Sequence, residues 1–460
     1  MSTQQKGFLA LLVTILFVGS AAAQWPAFTP DVLDTIEERK AEMFRYRQLR
    51  LAEALQTPNQ ERYDVIYYGI DLTIEPPQEK VTGTVQVRAA VVDEPIDHME
   101  VDLLDNMTVS QVTVSGATVS FTHQNDLIDI DLDSSYTAGE IVDVAIEYSG
   151  NPASSGLGSF GFDSHADKPM IWSLSEPFGA RNWWPCKDQP VDKADSVDIK
   201  VTVPKGMIVA SNGTLREVID NGDTETYWWH EGYPIVTYLV SVAIHEYEVY
   251  SDYFAYSPTD SMEIQFYVFP DHLEYVQTNY AKTKDMLGIF SDLFGLYPFI
   301  EEKYGHAEFV WGGGMEHQTC TSLGGCSEAL IAHELAHQWW GDMITCRDFH
   351  HIWLNEGFAT YSEALYWEQV SGQEAYFNDM NNNQYFGGGT IYVPDLSDEW
   401  RIFDWGLSYA KASWVLHMLR NVVGDSTFFD ILQAYYDSEY RHGTAVTEDF
   451  QAVCQAVSGT

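Results

Sequence analysis

Residues 327–361 read SEALIAHELAHQWWGDMITCRDFHHIWLNEGFATY. Ser327 is a residue type that caps helix N-termini, and Gly341 suits the position just past a helix end. The 13 residues between them are good helix formers, so the spacing predicts a single helix over 328–340. Leu330, Ile331, Leu335 and Trp339 fall on one apolar face of it. Elsewhere on the same helix His333 and His337 stand one turn apart at i and i+4, where both imidazoles reach one tetrahedral ion. Glu334 sits beside the first imidazole and points at whatever the ion holds. A catalytic zinc also needs a third protein ligand and an open fourth position for water. Glu356 supplies that ligand: it lies 19 positions after His337, near the start of a second predicted helix over 355–370, and a helix-turn-helix returns it to the ion. His350 and His351 compete as third ligands at shorter spacing, and their place in the turn favours lining it or supporting the ligands from behind. Glu363, seven residues beyond Glu356 on the same face, is a further supporting candidate. The spacing His-Glu-x-x-His alone arises by chance in roughly 3 of 100 chains of such composition and length. The cap, the apolar face and the delayed acid argue against chance here.

Around this segment the chain is long and acidic. It has 460 residues, 45% of them hydrophobic, which exceeds one ordinary domain and predicts two. Lys and Arg number 24 against 68 Asp and Glu, a formal charge of −44. That sign excludes a partner held by its phosphates, so no nucleic acid is expected, nor an anionic membrane surface. Two readings of the acidity stay open: solubility by self-repulsion, and adaptation to high salt. Residues 1–23 read as an export signal. Lys6 is the only charge, Gly7 to Gly19 is a short apolar run, and Ala21-Ala22-Ala23 precedes the expected cleavage site. The run is short against the roughly 20 residues of a membrane span. Nothing later is long and apolar enough to cross a bilayer, so the mature protein is expected to be secreted or periplasmic, with no stable membrane insertion. Within residues 24–59, Asp31 to Leu55 read as a charged amphipathic helix, the rest as linker.

From residue 60 the pattern turns to β. Tyr63 to Ile74, Thr82 to Val92, Asp143 to Tyr148, Asp198 to Val203 and Ile235 to Val249 are short β-branched and aromatic runs separated by turn residues, which predicts an antiparallel β domain over 60–250. After one more strand around Met262, a long helix is predicted from His272 to Phe294, then a strand at 306–310 and helices nearly to the end. The segment 251–460 is therefore a mainly helical α/β domain with a small sheet. Five cysteines, at 186, 320, 326, 346 and 454, are too few and too irregular for a disulfide framework. Cys320 and Cys326 are close enough in sequence to bridge, and free buried thiols are the equal alternative.

HELAH, 18 residues, then Glu356 within WLNEGFA resembles the zinc aminopeptidases of the aminopeptidase N family, gluzincins with a thermolysin-like catalytic domain behind a saddle-like β domain. Further landmarks occur in family order. Gly313-Gly314-Met315-Glu316-His317 is similar to the family's Gly-x-Met-Glu-Asn exopeptidase signature, with His317 in place of Asn. The resemblance makes Glu316 the group that binds the substrate's free α-ammonium and lays the glycine-rich edge along its backbone, which fits the close approach that glycine allows and the strength of a desolvated carboxylate–ammonium contact. Tyr409, in SYAKASWVLHMLR and 53 residues after Glu356, is implied as the donor to the developing oxyanion. Glu176, ahead of Ala180-Arg181 and the Pro185–Pro190 segment, is similar to the residue by which the family's β domain reaches the substrate amine, although Leu174 stands where the family often has Gln. The resemblance implies one Zn2+, peptide substrates with a free N-terminus, and Glu334 as general base. It also implies a C-terminal helical domain with no counterpart in the sequence, so the catalytic domain is expected to be truncated at its end. Two other readings stay open: a thermolysin-like endopeptidase, in which Glu316 has no role, and an exported, non-catalytic binding protein on a peptidase fold.

Overall fold

The strand Tyr63–Glu75 buries alternate residues, Tyr63, Val65, Tyr68, Ile70, Leu72 and Ile74, so one face of it must meet a core. It sits inside an eight-stranded sheet. On one side it pairs antiparallel with Lys80–Val91, and that strand pairs with Ile141–Gly150. On its other side it pairs parallel with Ser196–Pro204, a departure from the wholly antiparallel domain that the sequence suggests. A four-stranded sheet (Ile208–Ser211, Val242–His245, Lys168–Leu174 and Ser159–His165) and a three-stranded one (Ile96–Asp102, Leu127–Tyr136, Phe121–Gln124) complete the β domain. The computed structural model describes residues 56–459. The expected export signal and the amphipathic helix expected at Asp31–Leu55 lie outside the described residues.

The apolar run at 235–249 is no single strand. A short 3-10 turn, Thr237–Leu239, interrupts it, after which Val242–His245 joins the four-stranded sheet. The next strand, Glu248–Ala255, pairs with Ser261–Val268 in a five-stranded mixed sheet that also contains Lys303–Glu308, Thr321–Leu323 and the edge strand Gly314–Met315. Helices pack on this sheet. The stretch 272–294 folds as two helices, Leu273–Tyr280 and Thr283–Phe294, rather than one. Then come Glu328–Ala336, Trp353–Ser371, Gln373–Asn382, a π-helical turn Trp405–Lys411 that leads into Ala412–Val423, Asp425–Tyr436 and Thr447–Ser458. The five cysteines are free thiols. No described helix is long and apolar enough to cross a membrane.

The β domain and the helical domain share buried polar contacts close to the cleft. Lys193 donates to the carbonyls of Asp342 and Met343 at 2.6 and 3.0 Å, and Asn212 donates to the Gln318 carbonyl at 2.7 Å. Lys303 returns the pattern by donating to Ser211 O. Buried donors and acceptors must find partners, so these bonds fix one domain against the other.

Candidate active site

The helix Glu328–Ala336 starts where Ser327 accepts a hydrogen bond from Leu330 N at 3.3 Å. It is shorter than the sequence predicts. After Ala336 the backbone loosens, with Asp342 N bonding back to His337 O and Trp340 bridging to Ile344. The consequence is local: the Trp340 carbonyl turns toward the site and accepts from His337 Nδ1 at 3.1 Å. His333 Nδ1 is held by Glu363 at 2.8 Å. With both Nδ1 atoms engaged, both Nε2 atoms face one point.

Glu356, in the first turn of Trp353–Ser371, faces the same point. His333 Nε2 lies 3.1 Å from His337 Nε2, and Glu356 Oε2 lies 3.3 and 3.2 Å from the two. A tetrahedral ion with ligands at about 2.0–2.2 Å spaces its ligand atoms about 3.4 Å apart, so this triangle accepts a zinc ion with little adjustment. Burial alone would raise the Glu356 carboxyl, but the charges and hydrogen bonds of His337 and His333 hold it down to about 2. His350 and His351 lie elsewhere: His350 Nδ1 contacts Val393 O, and His351 Nδ1 contacts Thr447 Oγ1.

Glu334 is buried, and burial pushes its carboxyl up to about 8. Gly314, on the edge strand, lies against it so closely that a Cβ there would stand 2.3 Å from Glu334 Oε1. Gly313 has φ +128°, and a Cβ on it would meet the Trp311 ring at 2.6 Å. The two glycines thus serve different ends, one the turn and one the approach to the carboxylate. Met315 next to them is buried. Tyr409, half-buried on the π-helical turn, donates to Glu356 Oε1 at 3.0 Å.

Glu316 and Glu176 complete the cluster from two different domains. Both are buried, and Oε1 of each has no hydrogen-bond partner. One oxygen of Glu176, one of Glu316 and one of Glu356 lie within 4.8 Å of one another. Burial, followed by the other carboxylates, raises Glu176 well above the usual range; Glu316 is raised too, with His337 pulling the other way. Unpaired buried carboxylates are costly, and a cation supplied by a ligand relieves that cost. His317, where the family has Asn, turns to Ser322 Oγ at 2.9 Å.

Sequence reasoning missed some supporting residues. Gln338 donates to the Glu316 carbonyl at 3.1 Å and accepts from Thr319 N at 2.9 Å, tying the segment after the edge strand to the turn after the helix that carries His333. Its signal was available: a polar residue directly after HELAH, amid apolar neighbours. Asn355 joins Cys346 N to the Tyr238 hydroxyl and so secures the second helix.

Two family models match this chain. The Peptidase M1 N-terminal domain covers residues 61–239, and the Peptidase family M1 domain covers 317–460. The chain belongs to peptidase family M1. Among M1 relatives, Aminopeptidase M1 of Arabidopsis thaliana is 27% identical over 322 residues, covering 64% of this chain and 36% of that protein. Aminopeptidase N of Lactobacillus delbrueckii subsp. lactis is 25% identical over 424 residues, 85% of this chain and 48% of that one. The chain thus spans about a third to a half of the curated relatives it matches. An M1 zinc metallopeptidase from Deinococcus radiodurans, solved with a Tyr-Ser-Ala substrate, superposes with a TM-score of 0.78 at 25% identity, over 89% of this chain and 95% of that one. The two-domain M1 fold therefore accounts for nearly all of the described residues.

Proposed function

We propose that this M1 chain is a zinc-dependent aminopeptidase that removes single residues from the free N-termini of peptides. The observation that carries the exopeptidase reading is the pair of buried carboxylates, Glu316 and Glu176, whose Oε1 atoms have no hydrogen-bond partner, beside the two-histidine, one-glutamate triangle. His333, His337 and Glu356 would hold the ion. When bound, Zn2+ supplies Lewis acidity toward the scissile carbonyl and makes water nucleophilic near neutral pH. Glu316 and Glu176 take the substrate's α-ammonium as a charge-assisted contact, which fixes the register so that only the first peptide bond reaches the triangle. Glu334 accepts a proton from the attacking water and returns it to the leaving amine. The Tyr409 hydroxyl donates to the carbonyl oxygen as it becomes anionic. A thermolysin-like endopeptidase would have no use for two buried carboxylates at this place, and a binding scaffold none for Glu334. The presence of both disfavours these rivals.

Residues 1–23 direct secretion or periplasmic delivery, with cleavage after Ala23. Hydrolysis of a panel of aminoacyl-naphthylamides, with and without chelator and beside N-blocked analogues, tests the activity. Free amines are expected to turn over, chelator to abolish turnover, and zinc to restore it. Glu334→Gln should retain zinc and lose at least about 10²–10⁴-fold in kcat; a variant near wild-type turnover would overturn the base assignment.

A further inference from the structure

A second set of side chains with metal-binding chemistry lies at the other join between the domains. His165 ends the strand Ser159–His165 of the four-stranded sheet, while Asp271 and His272 follow Ser261–Val268 of the catalytic sheet and lead into the helix Leu273–Tyr280. One ligand atom of each lies within 4.8 Å of the other two. His165 Nε2 contacts Asp271 Oδ1 at 2.8 Å, and the His165 and His272 rings stand 4.9 Å apart at 74°. Both rings are already oriented. His165 is stacked on Phe269 at 3.9 Å and 9°. His272 Nδ1 is held at 3.0 Å by Glu308, a buried carboxylate that also accepts from Phe269 N at 2.6 Å. A carboxylate behind an imidazole, fixing the ring for an ion on its other side, is the usual support of a metal ligand.

We propose that His165, Asp271 and His272 form a second divalent-metal site, taking Zn2+ or another borderline ion, that clips the β domain to the catalytic domain. The donor set, two imidazoles and one carboxylate, suits such ions. The three atoms lie within 4.8 Å of one another, against the roughly 3.4 Å spacing of a tetrahedral centre, and the Asp271 and His272 side chains are 56% and 40% exposed. That exposure also gives ions a route in and leaves room for water as the remaining ligand. The site sits on a chain of net charge −44, whose field raises the local concentration of divalent cations. The N-terminus of the following helix opposes a cation, so the Asp271 charge is required.

Counting ions tests this without reference to peptidase activity. The purified chain is stripped with chelator, titrated with Zn2+ alone and analysed for metal after gel filtration. Two ions per chain are expected for the wild type and one for His165→Ala/His272→Ala, with thermal stabilisation by the second equivalent seen only in the wild type. Asp271→Asn, a change at an exposed position, should weaken the second equivalent at least tenfold and serves if the double variant does not fold. A wild type that binds one ion, or variants that keep two with unchanged affinity, would overturn the proposal.

Discussion

Gly314 shows how little a residue needs to do its work. A single added carbon there would stand 2.3 Å from Glu334 Oε1 and 2.4 Å from its Cδ, so either the carboxylate or the edge strand must move. Gly314→Ala should therefore lower kcat/KM by about 10²-fold or more, since a shift of about 1 Å at the reacting groups costs that much. Zinc content and thermal midpoint should stay close to wild type; loss of metal or of fold would contradict the account. His306 makes a different prediction. It is buried among Phe266, Tyr280 and Tyr304, neither ring nitrogen has a partner, and burial pushes it down to about 3. Unfolded, the same ring titrates near about 6.5. Between those values the unfolded chain binds a proton that the folded chain refuses, so the stability contributed by neutral His306 is lost as pH falls from about 6.5 toward 3. In His306→Phe, the thermal midpoint relative to wild type should rise as pH drops from 7 to 5. A difference that stays flat with pH would contradict this.

At the scale of elements, the site depends on two helices held at one distance. His333 reaches across from Glu328–Ala336 to Glu363 in Trp353–Ser371, two turns beyond Glu356. Glu363→Ala leaves all three ligands in place but frees the His333 ring. Zinc affinity should fall about 10–100-fold in competition with a chromophoric chelator, while activity in saturating zinc largely returns; unchanged affinity would remove Glu363 from this role. This part of the molecule was legible from sequence because helical periodicity, a cap and the spacing of His and Glu act within a few turns. The elements that were not legible depend on distant partners. The parallel pairing of Tyr63–Glu75 with Ser196–Pro204 joins segments more than a hundred residues apart, and nothing in either strand alone encodes its direction. The run 235–249 is almost wholly buried whichever way it folds, so it carries no alternation to mark where the 3-10 turn interrupts it. The end of the helix at Ala336 is set by what His337 and Trp340 bond to, not by helix propensity. The π-helical turn under Tyr409 likewise reads in sequence as ordinary helix.

Across the whole molecule, the β domain adds one carboxylate, Glu176, to a candidate site otherwise built from the catalytic domain. Glu176 follows the strand Lys168–Leu174 of one domain and Glu316 the edge strand of the other, yet one oxygen of each lies within 4.8 Å of the other. The Lys193 and Asn212 bonds tie the two domains together across the join. Sequence named the residues on both sides of it, but their convergence is a property of the packed pair of domains. The central claim, a captive ammonium beside a two-histidine, one-glutamate metal centre, is read most directly by mass spectrometry of one peptide incubated with the zinc-loaded chain in free and N-acetylated forms. The account predicts stepwise loss of single residues from the free N-terminus and an intact acetylated peptide. Internal cleavage, or equal loss of both forms, would contradict it.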